Sequence, residues 1–427
     1  MPSGPVERSS MSTSAVSRCP ENTEPAPPWT RLGPAPHAPL RAFAAERLFR
    51  RAVRDLPVRI VLAGGERLGA GGTGTPLMRV ERPEAFFHRL GADAKIGFGE
   101  AYMAGDWSSP DPAALLTPFA ARMSTLVPAP LQHARHWVER RQPAAERGTR
   151  SGARSNIARH YDLSNDVFAT FLDETMTYSG GWFSAGDDLA AAQRRKIDGI
   201  LDLAHVGSGT NLLEIGTGWG SLAIRAAERG AVVTTVTLSA EQQRLARERV
   251  AAAGMSDRVE VLLCDYRDVT GRYDAVVSVE MIEAVGHEFW PTYFSALDRL
   301  LVPGGRVGLQ AITMPHSRMR ATRNSYTWIH KYVFPGGLIP SVRAIDTAVA
   351  RYTGLVPAGR RFFGDGYAET LRQWRARFLR GWEELARLGF DERFRRMWEF
   401  YLAYSEAGFR AGYLDVGQFG FLGSAGK

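Results

Sequence analysis

The residues with the clearest chemical purpose are Glu214 and the three glycines Gly216, Gly218 and Gly220. Asn211 to Ile215 is an apolar, strand-like run, the glycines follow at once, and a helix-like run begins at Ser221. Glycine has no Cβ and tolerates positive φ, so such a turn lets backbone pass close beneath a ligand. The first N–H groups of the following helix lack partners within it and face the same spot. Glu214, just before the turn, offers a carboxylate to hydroxyls or to a cation. This is the layout of a nucleotide-type pocket at the carboxyl end of a first parallel strand.

Spacing narrows the nucleotide. A dinucleotide reader prefers Gly-x-Gly-x-x-Gly, with an acid about 20 residues on to bind the ribose. Here the spacing is Gly-x-Gly-x-Gly, and the second strand ends in Thr237-Leu-Ser-Ala-Glu-Gln242 with no acid at its tip. That departs from a nicotinamide site and suits S-adenosylmethionine (SAM), which has no pyrophosphate to cradle.

The positioning elements alternate. Strand signals at 211–215, 231–238, 259–264, 273–279 and 305–313 are separated by helix signals at 219–229, 240–253 and 288–301, with an amphipathic helix from Asp187 to Leu203 before them. Such alternation predicts right-handed βαβ units and a parallel sheet. Pro303-Gly-Gly305 reads as a turn, 314–363 as an irregular aromatic-rich insertion, 366–388 and 391–407 as helices, and 413–421 as an edge strand. Upstream, residues 1–40 read as a disordered tail, 41–141 as a small α+β unit and 142–155 as an arginine-rich linker, which leaves 156–427 as the main domain.

The 427 residues are 44% hydrophobic and carry a net charge of +8, mostly from arginine. That charge suits a solvated basic face, nucleic acid or an anionic membrane. Two cysteines, Cys19 and Cys264, give no expectation of a disulfide and fit a reducing cytosol. No apolar run reaches the roughly 18 residues of a membrane span, and no secretory signal core is present. Membrane contact is therefore expected to be peripheral.

Five further blocks occur in order: His160-Tyr-Asp-Leu-Ser-Asn-Asp166, Met176-Thr-Tyr-Ser-Gly180, Val236-Thr-Leu-Ser-Ala-Glu-Gln242, Val277-Ser-Val-Glu-Met-Ile-Glu-Ala-Val-Gly286 and Phe334-Pro-Gly-Gly-Leu-Ile-Pro340. From about residue 150 onward the chain resembles the cyclopropane-fatty-acyl-phospholipid synthase family and its mycolic acid methyltransferase relatives. The N-terminal unit resembles the family's lipid-binding extension. The resemblance implies an α/β class I SAM-dependent methyltransferase, Rossmann-like, with a mostly parallel seven-stranded sheet. It also implies methyl transfer to a cis double bond in a lipid acyl chain. Alkene π electrons attack the sulfonium methyl and a carbocation forms beside it. Loss of a proton from the new methyl closes a cyclopropane, whereas loss from an adjacent chain carbon leaves an alkene. The site must align the reactants and exclude water.

Carried over by position, the resemblance gives Tyr178 and Ser179 to the methionine portion of SAM, with Gly216, Gly218 and Gly220 lining it and Glu214 in support. Thr237, Leu238 and Gln242 face the ribose, and Tyr266 and Arg267 take the adenine edge. Glu283 and Tyr367 match members of a bicarbonate-binding set whose anion serves as base, and Ile312 contributes backbone. Three positions depart from the pattern: Gly180 and Ser405 stand where the family has cysteines, and Gln310 where it has histidine. Glutamine can hydrogen-bond an anion and a glycine side chain cannot. Either bicarbonate is held differently, or Glu283 or another group removes the proton. Glu280 is the alternative acid, and Ser405 reads more readily as an inert helix residue.

These departures favour the branch that makes a 10-methylene acyl chain, which a separate reductase turns into a 10-methyl chain. A cyclopropane synthase and a catalytically dead SAM- and lipid-binding protein are the other readings. A nucleic-acid substrate is not expected, because no Asn/Asp-Pro-Pro-Tyr-like motif is present. The expected partners are phospholipid acyl chains at an anionic surface, with the protein cytoplasmic and on the inner face of the membrane. The basic run 135–141 with Arg147, Arg150 and Arg154 is the expected contact. A homodimer is left open, and no metal is expected.

Overall fold

The computed structural model describes residues 28–123, 143, 146–161 and 165–425. The tail before residue 28 and the basic run 135–141 lie outside them, as do the side chains of the His160 block up to 164. The N-terminal unit holds strands β1 (Arg59–Leu62), β2 (Arg67–Leu68), β3 (Leu77–Val80) and β4 (Trp107–Ser108), in the order β2-β1-β3-β4. Residues 28–40, expected in the tail, pack instead. The Trp29 ring stands 5.0 Å from Phe394, and the Ala38 N–H donates to His88 Nδ1 at 2.8 Å.

The main sheet has seven strands: β5 (Asn211–Ile215), β6 (Val232–Thr237), β7 (Val259–Leu263), β8 (Tyr273–Val279), β9 (Leu301–Thr313), β10 (Val356–Phe362) and β11 (Asp415–Leu422). Their order is β10-β11-β9-β8-β5-β6-β7. β5 through β9 pair in parallel, and β11 runs antiparallel to both β9 and β10. Strand order reverses at β5 and β8, which opens a crevice at their carboxyl ends. Successive side chains point to opposite faces. Leu212, Ala275 and Val277 therefore join Ile200 and Ala226 in one core, while Leu213, Val276 and Leu309 join Phe294 and Ile345 in another. Covering on both faces explains why the central strands read as nearly continuous apolar runs.

Four expectations change. Pro303-Gly-Gly305 does not end an element. β9 starts at Leu301, and the extra residues bulge out between the pairs Tyr273–Leu301 and Ala275–Arg306, with Gly304 at φ +74°. The segment 413–421 is no edge strand: β11 lies inside the sheet, nearly all buried, and the edge is β10 from the supposedly irregular insertion. That insertion also holds the helices His316–Thr322, Trp328–Tyr332 and Val342–Tyr352. The long helix expected at 366–388 runs Gly364–Arg380, breaks at Gly381 and resumes over Trp382–Arg387.

The helix Glu392–Arg410 joins the two sheets. Its Phe400 packs on Trp107 and Trp328, so one apolar cluster runs from the small unit into the large one. Inside this junction Glu406 is fully buried. Its carboxylate accepts from Arg375 Nε at 3.0 Å and lies 2.6 Å from Arg410, while Arg375 also reaches Asp111 at 3.1 Å. Removing one partner of a buried pair strands the other charge, at a cost of about 3–5 kcal/mol. Glu406→Ala is expected to lower the unfolding free energy, read from urea titration, by an amount in that range. A loss below about 1 kcal/mol would show that the junction is held by apolar packing alone.

Candidate active site

A cavity of 240 Å³ opens at the carboxyl ends of β5, β6, β7 and β8. Its wall holds ten of the eleven positions expected to hold SAM: Tyr178, Ser179, Glu214, Gly216, Gly218, Thr237, Leu238, Gln242, Tyr266 and Arg267. Gly220 is the exception. With φ +88° it is the residue from which the helix Ser221–Glu228 starts, and a Cβ there would touch Ala246 at 3.4 Å. It shapes the turn from outside the cavity. Gly216 has φ +102°, and a Cβ there would come within 2.7 Å of Met281 Cγ, so side-chain space and backbone angle both require glycine.

Around the turn the polar groups form short chains. The Thr235 hydroxyl donates to Glu214 Oε2 at 2.6 Å, and Thr237 donates to Gln242 Oε1 at 2.8 Å. Arg267 is held by both oxygens of Asp265 and stacks over the Tyr266 ring at 5.5 Å. Asp265 itself lines the cavity, although the sequence reading passed over it. Its signal was an acid immediately beyond a strand end. Lys196 was missed too. It lies on the buried stripe of the helix Leu189–Leu203, is 1% exposed, lines the cavity and donates to Ser179 Oγ at 2.6 Å. A lysine in the register of Ala192, Ile197 and Ile200 was the available signal, because an unpaired lysine is almost never buried.

The expected catalytic residues converge less evenly. Glu280, at the tip of β8, receives three hydrogen bonds: Gly180 N–H to Oε1 at 3.0 Å, Gln310 Nε2 to Oε1 at 2.8 Å and Tyr367 Oη to Oε2 at 2.7 Å. Its φ is +51°, in the left-handed region that favours glycine. Glu283, one helical turn on, has a single partner: the Ile312 N–H donates to Oε1 at 2.6 Å, and Oε2 is buried with none. Both acids face the cavity, which leaves each partly accessible although protein surrounds them. Gln310 is fully buried, and its Oε1 accepts from Gln418 Nε2 at 3.1 Å. Ser405 is half-buried on Glu392–Arg410 and is not part of the cavity wall. Among the aromatic residues, Phe334 lines the cavity, while Trp290, Tyr293, Phe294, Trp328 and Tyr332 are core.

Burial dominates the electrostatics. It pushes the Glu214 carboxyl up to about 8 against the Thr235 bond, and lowers the Lys196 ammonium to about 8 against the pull of Glu280, Asp173 and Glu214. Burial, followed by the nearby Glu280 charge, pushes Glu283 up to about 8. Glu280 is also raised by burial, but the Tyr367, Gln310 and Gly180 bonds and the Lys196 charge all favour its ionised form.

A family model described as mycolic acid cyclopropane synthetase matches residues 149–419. The chain belongs to this family. It is 55% identical over 401 residues to the tuberculostearic acid methyltransferase UfaA1 of Mycobacterium tuberculosis, covering 91% of this chain and 94% of that one. It is 37% identical over 339 residues to the cyclopropane-fatty-acyl-phospholipid synthase of Escherichia coli, covering 78% and 84%. Among solved structures it resembles the mycolic acid cyclopropane synthase CmaA1 complexed with SAH and CTAB, with TM-score 0.58, 30% identity and coverage of 66% and 99%. Like these relatives it is a SAM-dependent methyltransferase of α/β fold, and SAM is its methyl donor.

The glycine turn, Tyr178, Ser179, Thr237 and Gln242 fit that donor. They surround one cavity, and Gly216 and Gly218 add no side chain to its wall. A bicarbonate ion does not fit in the same way. The Gly180 N–H, Gln310 amide and Tyr367 hydroxyl that could bind it already bond Glu280, and the Ile312 N–H bonds Glu283. The one group left is Glu283 Oε2, at most a single donor.

The raised carboxyls set a stability slope. Glu214 and Glu283 bind protons more tightly folded than unfolded, where the value is about 4.3. Their stabilising contribution is complete below that value and is lost as pH rises to about 8. Unfolding free energy of the ligand-free family member should therefore fall between these limits, by up to about 1.4 kcal/mol per pH unit for each carboxyl. Urea titrations of wild type and Glu283→Gln should show a shallower slope in the variant. Equal slopes would mean that Glu283 ionises normally.

Proposed function

We propose that the enzyme methylates the cis double bond of a phospholipid acyl chain and releases a 10-methylene chain. The observation that carries this reading is the juxtaposition, in one cavity, of the SAM-binding turn, an apolar wall including Met281, Val285 and Phe334, and two enclosed carboxyls. An alkene and a carbocation need such surroundings: apolar, closed to water, with a base in reach. The likeness to a tuberculostearic acid methyltransferase along 91% of the chain supports the methylene product over a cyclopropane.

Bound SAM supplies an electrophilic sulfonium methyl. The protein's share is to align the chain against it and to settle the fate of the cation. A cyclopropane needs only loss of a methyl proton with ring closure. A methylene needs one further step, in which a hydride moves from the methylated carbon to the cation, so that charge reaches the more substituted carbon before the methyl proton leaves. Phe334, packed edge-on to Tyr401 at 5.5 Å, presents an aromatic wall for that charge.

Among the described residues no helix is long and apolar enough to cross a membrane. Of the linker cations, Arg150 is paired with Asp268, and Arg147 lies 3.9 Å from Glu288. The helix Pro39–Val53 is better suited to lipid, because it exposes Leu40 (85%) and Phe43 (62%) beside the exposed Arg41, Arg47 and Arg51. We assign the membrane contact to it, and the saturated 10-methyl chain to a separate reductase acting afterwards.

Oleoyl phospholipid vesicles given enzyme and unlabelled SAM should yield acyl chains about 14 mass units heavier, one CH2 per turnover, with two olefinic proton signals of a C=CH2 group. Adding anionic lipid to the vesicles should raise the rate. Upfield cyclopropane protons instead would transfer the assignment to ring closure, and no mass gain would end the proposal.

A further inference from the structure

We propose that Glu280 is the base of this reaction, its own carboxylate standing where a bound anion would otherwise serve. The inference rests on methyl transfer to an alkene but not on which product forms. Glu280 lines the same cavity as the glycine turn, on the side of Met281 and Glu283. Three donors from distant parts of the chain aim at it: Gly180 from the segment before the helix Leu189–Leu203, Gln310 from β9 and Tyr367 from Gly364–Arg380.

The donors are themselves fixed. Gln418 Nε2 donates to Gln310 Oε1, so Gln310 must turn its NH2 toward Glu280. Tyr367 stacks on Phe409 at 4.4 Å, and a Cβ on Gly180 would come within 2.6 Å of the Tyr367 ring. Glycine at 180 is thus what lets the tyrosine reach Glu280. A glutamate at φ +51° is strained, and such strain persists only where the surroundings over-determine it, most often at functional sites.

Neither neighbour competes. Glu283 holds its own proton at neutral pH, because burial and the Glu280 charge raise it to about 8. Lys196 donates to Ser179 and stays mostly charged at neutral pH. Burial raises Glu280 as well, but its three hydrogen bonds and the Lys196 charge favour the ionised form, and each of its oxygens has two lone pairs, of which Oε2 spends one on Tyr367.

The step balances. The alkene π pair forms the C–C bond to the methyl carbon while the methyl–sulfur pair stays with S-adenosylhomocysteine. A hydride shifts from the methylated carbon to the neighbouring cation. Glu280 then takes a proton from the new methyl, and that C–H pair becomes the π bond of C=CH2, or the third ring bond if no hydride has moved. The resulting carboxylic acid returns its proton to water after product release.

The test uses oleoyl phospholipid vesicles and SAM in buffer stripped of CO2, with and without added bicarbonate, and calorimetric SAM affinity as the check on folding. Wild type should turn over within about twofold in both buffers. Glu280→Gln should lose about 100-fold or more in rate with SAM affinity within about fivefold, the loss expected of a missing general base. Glu280→Gly, which relieves the positive φ and opens space for a small anion, should lose as much and regain about tenfold with bicarbonate or formate. Wild-type activity that disappears without CO2 overturns the proposal. So does Glu280→Gln activity above about a tenth of wild type, or Glu280→Gly that binds SAM yet responds to neither anion. A cyclopropane product with the expected variant effects leaves Glu280 as base and removes only the methylene reading. No methylated lipid from wild type overturns both.

Discussion

Glu280 and Glu283 stand one turn apart at the end of β8, surrounded by protein and only partly reached by water from the cavity. Like charges so placed raise each other's proton affinity, which disfavours ionising both. The surroundings resolve the conflict by unequal hydrogen bonding: three donors for Glu280, and one backbone N–H for Glu283. Lys196, buried across the cavity, adds a positive charge that favours Glu280 and Glu214. Much of the domain can be understood as the framework that keeps these donors aimed.

That framework is the sheet. β8 brings Glu280 beside Gln310 because Val279 and Gln310 are register partners, and β11 brings Gln418 beside Gln310 by the same means. The antiparallel β11 is therefore more than an end to the sheet, since it sets the amide orientation that points at Glu280. The helix Gly364–Arg380 carries Tyr367, and its partner Glu392–Arg410 carries Phe409 behind that ring and Phe400 into the N-terminal unit. The same two helices thus support the catalytic end of the cavity and hold the small unit in place.

Much of this was legible in sequence. The glycine turn and the strand–helix alternation locate the cavity at the carboxyl ends of the parallel strands, because local backbone geometry dictates both, and the family resemblance names ten residues of its wall. Other features depend on contacts far along the chain. Glu280 is joined to partners 100, 30 and 87 residues away, so the reading that favoured Glu283 had no local signal to weigh against it. The Pro303-Gly-Gly305 bulge reads locally as a turn and is absorbed only because β8 and β11 hold β9 on both sides. Gly220 and Ser405 share a motif with site residues without sharing their place. Lys196 was the reverse, a charged residue in a packing helix that the pattern alone assigned to packing.

In the proposed reaction Glu280 fills the place of the base with its own carboxylate. A crystal structure of the enzyme with S-adenosylhomocysteine, grown in bicarbonate, tests this most directly. It should show the Gly180 N–H, Gln310 amide and Tyr367 hydroxyl bonded to Glu280, with no separate planar anion among them. A bicarbonate ion bound to those three donors, with Glu280 turned away, would contradict it.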